Sequence, residues 1–523
     1  MQRTLAIELE IFNKLFSAIA EEMGIVLRRS GFSPNIRERC DFSCAIFDKK
    51  GELVAQASHI PVHLGAMPET MKHLVGRFDW KDGDVIITND PFTGGTHLPD
   101  ITLVKPVFFK GALEFFLIAR AHHADVGGKY AGSMAVSTHI DEEGVRISPT
   151  YLFKEGELQE DFFHSLISKL RNPEEREGDF RAQIASLFRG EKRLKELVTK
   201  YGLEKVLEMA GELKAYSQKA MQELIKSLPE GVYSFEDYLD DDGCGTEDIL
   251  IKAQIIIKDN KIVVDFRGSA PQVKGSINAP RAVTEAAVYY VFLCLLNTLG
   301  DFPINHGCFS PIEIITEPGT VVDAVYPAAV SGGNVETSQR IVDVLLGALS
   351  SACPELIPAA SCGSMNNVAI GNDSFAYYET IGGGMGGRPG KPGLSGVHTH
   401  MTNTLNTPVE ALEHDYPLRI VRYSLRKNSG GKGKFPGGEG IIREYYFCTD
   451  ATVTLLTERR KYSPYGLFGG EAGAKGENFV ITLSGEKKAL PGKVNLEVKK
   501  GERLVISTPG GGGYSSFRAR PLK

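Results

Sequence analysis

Three short runs hold most of the side chains in this sequence that could do chemistry: His59-Ile-Pro-Val-His63, His97-Leu-Pro-Asp100 and Ala-His122-His123-Ala-Asp125. Seven of the twelve histidines fall between His59 and His139, far more than an even spread would put there. Imidazole titrates near neutrality and is the commonest metal ligand, so such a cluster marks a candidate site. His97 and Asp100 close the run Asn89-Asp90-Pro91-Phe92-Thr93-Gly94-Gly95-Thr96-His97-Leu98-Pro99-Asp100. Its paired glycines and two prolines make a compact loop, and a stiff loop suits a metal because the ligands must be held before the ion arrives. His122, at the end of a predicted strand, can bring a third ligand from the neighbouring strand. Two imidazoles and a carboxylate leave positions open for water or substrate, the usual catalytic arrangement. Spacing alone equally allows loop residues that cap turns, since H-x2-D is short and common.

His122 and His123 face opposite ways if they lie on a strand. One can ligate while the other faces a different layer or serves as a general base or acid. Asp125, three residues beyond His122, can orient an imidazole. His59 and His63 have the i,i+4 spacing of a helical zinc pair, but Pro61 lies between them and the glutamate of H-E-x-x-H is absent. Pocket lining or loop packing is the expected role of that pair. Arg176, Asp179 and Gln183, in the run RNPEEREGDFRAQ, fall within two helical turns and form either a pocket-facing polar stripe or a solvated face.

The glycine-rich stretches invite a phosphate reading that fails at particular positions. Gly382-Gly383-Gly384-Met385-Gly386-Gly387 fits G-x-G-x-x-G, but Arg388-Pro389-Gly390-Lys391-Pro392-Gly393 follows where a helix should start. Gly390-Lys391 has Met385 where a phosphate loop has glycine and Pro392 where it has Ser or Thr. Tight turns in a β-rich region are expected there instead. No G-x-S-x-G elbow occurs, and the cysteines are scattered apart from Cys40 and Cys44, with no second pair to complete a zinc site.

The elements that position these groups read as mixed α/β (α+β) in a multi-domain chain of 523 residues. An amphipathic helix is predicted over 4–29, a hairpin over 42–57, and strands over 84–88, 101–109 and 113–121. These define an α/β region, 1–158, that carries the His/Asp loops. A helical segment follows over 159–228, broken at Gly190 and Gly202. The remainder, 229–523, runs from α/β to a β-rich region with glycine loops, with helices predicted over 284–299 and 337–350. The net charge of -6 gives no global attraction to nucleic acid or anionic lipid, and no apolar stretch reaches the length of a membrane span. A cytoplasmic protein is expected.

Three runs carry a resemblance: SPNIRERCDFSCAIFDKKGELVAQASHIPVHLGAMPET, then NDPFTGGTHLPDITLVKPVF, then AHHADVGG. With RNPEEREGDFRAQI, PAAVSGGNVETSQRIVD and the terminal TPGGGGY they resemble the hydantoinase B family over nearly the whole chain. That family includes the B subunit of ATP-dependent N-methylhydantoinases, the C-terminal half of 5-oxoprolinases and a large subunit of acetone and acetophenone carboxylases. The resemblance implies a hetero-oligomer with a hydantoinase A-type ATPase subunit, which binds ATP and phosphorylates substrate. It also implies a divalent metal, manganese or zinc, on His97, Asp100 and His122, with Asp90 as a fourth ligand. The expected activity is hydrolysis of a cyclic amide, with His123 as general base or acid; ketone carboxylation and a non-catalytic scaffold are the alternatives.

Overall fold

The computed structural model describes residues 2–57 and 60–515; His59 lies outside them. A seven-stranded antiparallel sheet carries the histidine loops. Its strands are β1 (Phe42–Asp48), β2 (Leu53–Gln56), β3 (Val85–Thr88), β4 (Asp100–Phe109), β5 (Ala112–His122), β6 (Thr150–Lys154) and β7 (Glu157–Leu158), in the spatial order β2-β1-β5-β4-β3-β6-β7. The central strands are buried on both faces and so read as continuous apolar runs rather than alternating ones.

Side-chain alternation sorts the sheet into two cores. Leu117, Ala119 and Ala121 of β5 and Ile101 and Leu103 of β4 pack toward the helices Gln2–Ser30, Pro173–Tyr201 and Leu203–Ser227. Phe116 and Ile118 of β5 and Val104 of β4 face the other way, toward the helices His63–Leu74, Arg281–Leu296 and Ser338–Leu349 and a four-stranded sheet, Gly231–Asp241, Glu247–Lys258, Lys261–Asp265 and Ile312–Ile315. Truncating any of these large buried chains to alanine would cost about 2–5 kcal/mol.

The predicted helices form with shifted ends. Gly202 does end a helix, but Gly190 lies inside Pro173–Tyr201, packed on Met23, whose thioether a side chain there would displace. A helix covers Arg281–Leu296, and Ser338–Leu349 is preceded by a π-helical turn, Gly333–Thr337. Pro61 precedes the helix that starts at His63 and so does not disrupt it.

Two further sheets, of four and five strands, enclose a third core between Val368 and Ile506. Against them the glycine-rich stretches form some of the tight turns expected, at Pro389-Gly390 between Arg388 and Lys391 and at Phe468-Gly469. Elsewhere they stack backbone on backbone: Gly387 N donates to Gly512 O (2.8 Å), Gly431 N to Gly511 O (2.9 Å), Gly511 N to Gly438 O (3.0 Å) and Gly438 N to Met385 O (2.8 Å). A Cβ at Gly511 would strike the Met385 carbonyl, and one at Gly437 the Gly511 carbonyl. Glycine is there for close approach, and no helix follows 382–387 to receive a phosphate.

Candidate metal centre

Three adjacent strand ends build the site. Asp100 opens β4, His122 closes β5, and the two are directly paired in register. Asp41 immediately precedes β1, the strand on the other side of β5, and His122 N donates to its carbonyl oxygen at 2.9 Å. His97 arrives from the loop before β4, where Gly94 adopts a left-handed φ of 87° and abuts the backbone of Thr70. The loop is held by Asn89, whose amide donates to Leu98 O (2.8 Å) and Val145 O (2.9 Å) and whose oxygen accepts from Ile147 N (2.7 Å).

Three potential ligand atoms converge there. His97 Nε2 lies 3.2 Å from Asp100 Oδ1, His122 Nδ1 3.2 Å from the same oxygen, and the two ring nitrogens 3.1 Å from each other. All three residues are buried. Ligands on one small divalent ion, each about 2.0–2.2 Å from it, stand roughly 3.0–3.4 Å apart, so the donor set fits such an ion. His63 Nε2 approaches the other Asp100 oxygen at 3.3 Å, and its Nδ1 meets Ser43 Oγ at 2.8 Å. Thr96 Oγ1 also donates to that oxygen. His63 therefore lines the pocket, as expected.

Electrostatics separate the three groups. Burial would depress the His97 imidazole, but the Asp100 carboxylate outweighs it and holds His97 above its ordinary value. Burial would raise Asp100, yet His97 and His63 keep it well below the usual carboxylate range. Burial dominates at His122 and lowers it. The ring of His122 stacks on Tyr378, with centroids 4.8 Å apart and planes 18° from parallel.

Not every predicted site residue joins them. His123 points to the opposite face of the sheet, where its Nε2 meets Gln183 Oε1 at 2.8 Å and its ring packs on Phe180. Gln183 Nε2 donates to Ile101 O and Ala119 O, so its oxygen must be the acceptor and His123 Nε2 the donor. Burial pulls His123 down to about 4. It lies outside the cavity that the triad borders, which takes it away from the general base or acid role. Arg176, Asp179 and Gln183 are buried rather than a solvated stripe, and they face this same side. Asp125 accepts from Gly127 N and Gly132 N and pairs with Arg171 (3.1 Å), shaping its own loop instead of an imidazole. Asp90 caps the turn Pro91–Thr93 and faces Arg146 at 3.5 Å, apart from the triad.

The enclosed space at the triad is about 20 Å³, room for roughly one water molecule. Its wall includes groups absent from the sequence reading: Asp41, Asn334, Tyr378, Thr380, Thr402 and Thr404. Asp41 and Tyr378 come from strand ends and a facing sheet, and no spacing links them to His97. Asp41 and Asn334 do fall within two of the runs that carry the resemblance, SPNIRERCDFSCAIFDKKGELVAQASHIPVHLGAMPET and PAAVSGGNVETSQRIVD.

An antiparallel sheet thus brings two histidines and an aspartate together at buried strand ends, close enough to one another to share one metal ion. The hydantoinase B/oxoprolinase family model matches residues 6–516, and the chain belongs to that family. It is 43% identical over 539 residues to 5-oxoprolinase 1 of Arabidopsis thaliana, an alignment covering 98% of this chain and 42% of that protein. The chain thus spans about two fifths of that relative's length. The crystal structure of an ATP-dependent caprolactamase from Pseudomonas jessenii superposes with a TM-score of 0.89 at 28% identity, covering 98% of this chain and 91% of that one. An acetone carboxylase has the same fold (TM-score 0.88, 19% identity, 98% and 76% covered). Among the described residues no helix is long and apolar enough to cross a membrane.

Proposed function

We propose that this chain is the hydrolytic part of an ATP-dependent cyclic amide hydrolase, with a hydantoinase A-type ATPase partner that phosphorylates the substrate. The observation that carries the reading is the buried convergence of His97, Asp100 and His122 in a chain similar over 98% of its length to a 5-oxoprolinase. These three residues would hold manganese or zinc. A divalent ion bound there supplies Lewis acidity to a carbonyl or phosphoryl oxygen. Asp100, kept ionised by its two histidine neighbours, provides the charge that retains the cation. His63 takes the proton-handling role once expected of His123, because it lines the cavity and is oriented by Ser43. Met401, Thr402 and Thr404 are part of the cavity wall, and at about 20 Å³ the cavity must widen to admit a five-membered ring. ATP binds on the partner, since both phosphate-loop templates fail in this chain at Met385 and Pro392.

Reconstitution with the partner tests this. Phosphate release and ring-opened product should both require the two chains together with hydantoin, 5-oxoproline or caprolactam. ATP turnover by this chain alone, or turnover with acetone and none of the rings, would overturn it. The carboxylase alternative rests on likeness of fold only.

A further inference from the structure

A cavity of about 20 Å³ admits nothing larger than a water until one of its walls parts. Most of the wall is fastened by its own backbone. Tyr378 lies in the strand Phe375–Glu379, Val335 in the π-helical turn, and His63 opens a helix. Asp41 N donates to Asn35 O (2.9 Å), and Met365 O accepts from Ile381 N (2.9 Å). Met401, Thr402 and Thr404 differ. Among the described residues none of the three makes a backbone–backbone hydrogen bond, and residues 402–408 hold neither helix nor strand.

This segment is one residue thick. Thr402 and Thr404 face the triad and are buried, whereas Asn403 between them and Leu405 after them are exposed, Leu405 by 57%. The segment is clasped at its two ends. On one side Gln339 Nε2 donates to Thr399 O (2.9 Å). On the other, Leu405 N donates to Arg39 O (3.2 Å), and Asn406 Nδ2 donates to Glu379 Oε1 and Thr380 O, both at 2.7 Å. Between the clasps Thr404 Oγ1 lies 2.9 Å from Thr380 Oγ1 and 3.2 Å from Thr402 Oγ1, contacts between hydroxyls that break without stranding a charge. His400, directly after the first clasp, has a left-handed φ of 58°, a conformation uncommon outside glycine and concentrated in clamps and switch segments. A span without backbone bonds between two fixed ends is the part of a wall that opens most readily.

We propose that Met401–Thr404 is the gate of the triad, a strap that lifts outward between the Gln339 and Asn406 clasps to admit a divalent ion and the ring. The proposal rests on the triad taking up that ion, as in the reading above. It has a kinetic consequence. Neither Gln339 nor Asn406 lines the cavity, so the clasps govern how often the strap lifts and not how tightly the ion is held. Weakening one speeds entry and exit alike.

The experiment uses the purified chain, stripped of metal, and zinc. Uptake is followed by stopped flow against an indicator dye, and release by excess chelator, for the wild type, Gln339→Leu and Asn406→Ala, which remove clasps at opposite ends. Uptake and release should both accelerate by about threefold to tenfold, the effect of a lost hydrogen bond, with the dissociation constant unchanged. Hydrogen exchange is read on the unaltered chain. The amides of Met401, Thr402 and Thr404 should exchange at least about a hundredfold faster than those of the central strand Asn367–Asn372. The proposal is overturned if both variants keep the wild-type rates, if release alone quickens so that affinity falls, or if the three amides exchange as slowly as the strand. If the wild type takes up no zinc, the metal reading fails, and the exchange comparison still decides the gate.

Discussion

The two faces of the strand pair β4–β5 carry similar side chains at one end and use them differently. On one face His122 meets His97 and Asp100 within 3.1–3.2 Å, stacks on Tyr378 and borders a cavity. On the other, His123 is fully buried against Gln183 and Phe180, close to the Arg176–Asp179 pair. Burial is equal on the two faces, so it does not decide the role. The neighbours do: a carboxylate shared by His97 and His122 on one side, a neutral amide on the other. The second face serves the first, since Gln183 ties Ile101 O on β4 to Ala119 O on β5, close to the Asp100–His122 pair.

The largest effect should come from Asp100→Asn, which keeps the shape and removes the charge that holds the cation. In the reconstituted complex product should fall by roughly a hundredfold or more, while substrate-dependent phosphate release from the partner continues. Both falling together would mean that this face also gates the ATPase.

Replacing the adjacent histidines separates the faces directly. His122→Ala should weaken metal binding by at least roughly a hundredfold, beyond the effect of groups that only orient ligands. His123→Ala should leave the metal content at the wild-type level and lower the melting temperature instead. Elemental analysis and thermal unfolding of the pair read both quantities, and equal metal loss would erase the distinction drawn here.

The pH response of stability sharpens it further. His123 is held at about 4 in the fold, below its ordinary 6.5, because burial disfavours the cation. Between those values the unfolded chain binds a proton that the folded chain refuses, so stability falls as pH drops from 6.5 toward 4, by up to about 3 kcal/mol. A His123→Gln variant should show a flatter curve over that window, and parallel curves would contradict the buried neutral state.

The smallest effect should follow Gln183→Leu. It removes the bonds to Ile101 O and Ala119 O and leaves His123 Nε2 without its partner, at about 1–3 kcal/mol for that buried donor, measurable as a shift in the denaturant midpoint, with metal affinity changed by less than about tenfold. A loss as large as that of His122→Ala would show that the brace is part of the site.

Much of the first face was legible in the sequence. The alternation of β5 put His122 and His123 on opposite sides, and the stiff loop announced His97 and Asp100 together. Which of the two histidines faced the cavity was not legible, because β4 and β5 are apolar on both faces and give no inside or outside. That Asp41, Asn334, Tyr378 and Thr402 line the cavity was not legible for a different reason. They reach the cavity from segments hundreds of residues apart, and no local period records such a meeting. Asp125 and Asp90 misled because aspartate caps turns as readily as it binds cations. The glycine runs hold both the expected turns, as at Pro389-Gly390, and close backbone approaches, as at Gly511, and composition does not distinguish the two.

Those runs also bear on how this molecule would look to solution methods. Glycine-rich composition is the usual mark of a flexible tether, and the stacked segments around 382–387, 429–438 and 509–513 hold neither helix nor strand. A far-ultraviolet spectrum would score them as coil. Yet the amides of Gly384, Gly387, Gly431, Gly438 and Gly511–Gly513 bond to carbonyls of other segments where the backbones pack too closely for a Cβ, so deuterium should enter those positions slowly, as it enters core strands. The stretch of chain most easily mistaken for a linker would then be one of the last parts of the protein to exchange.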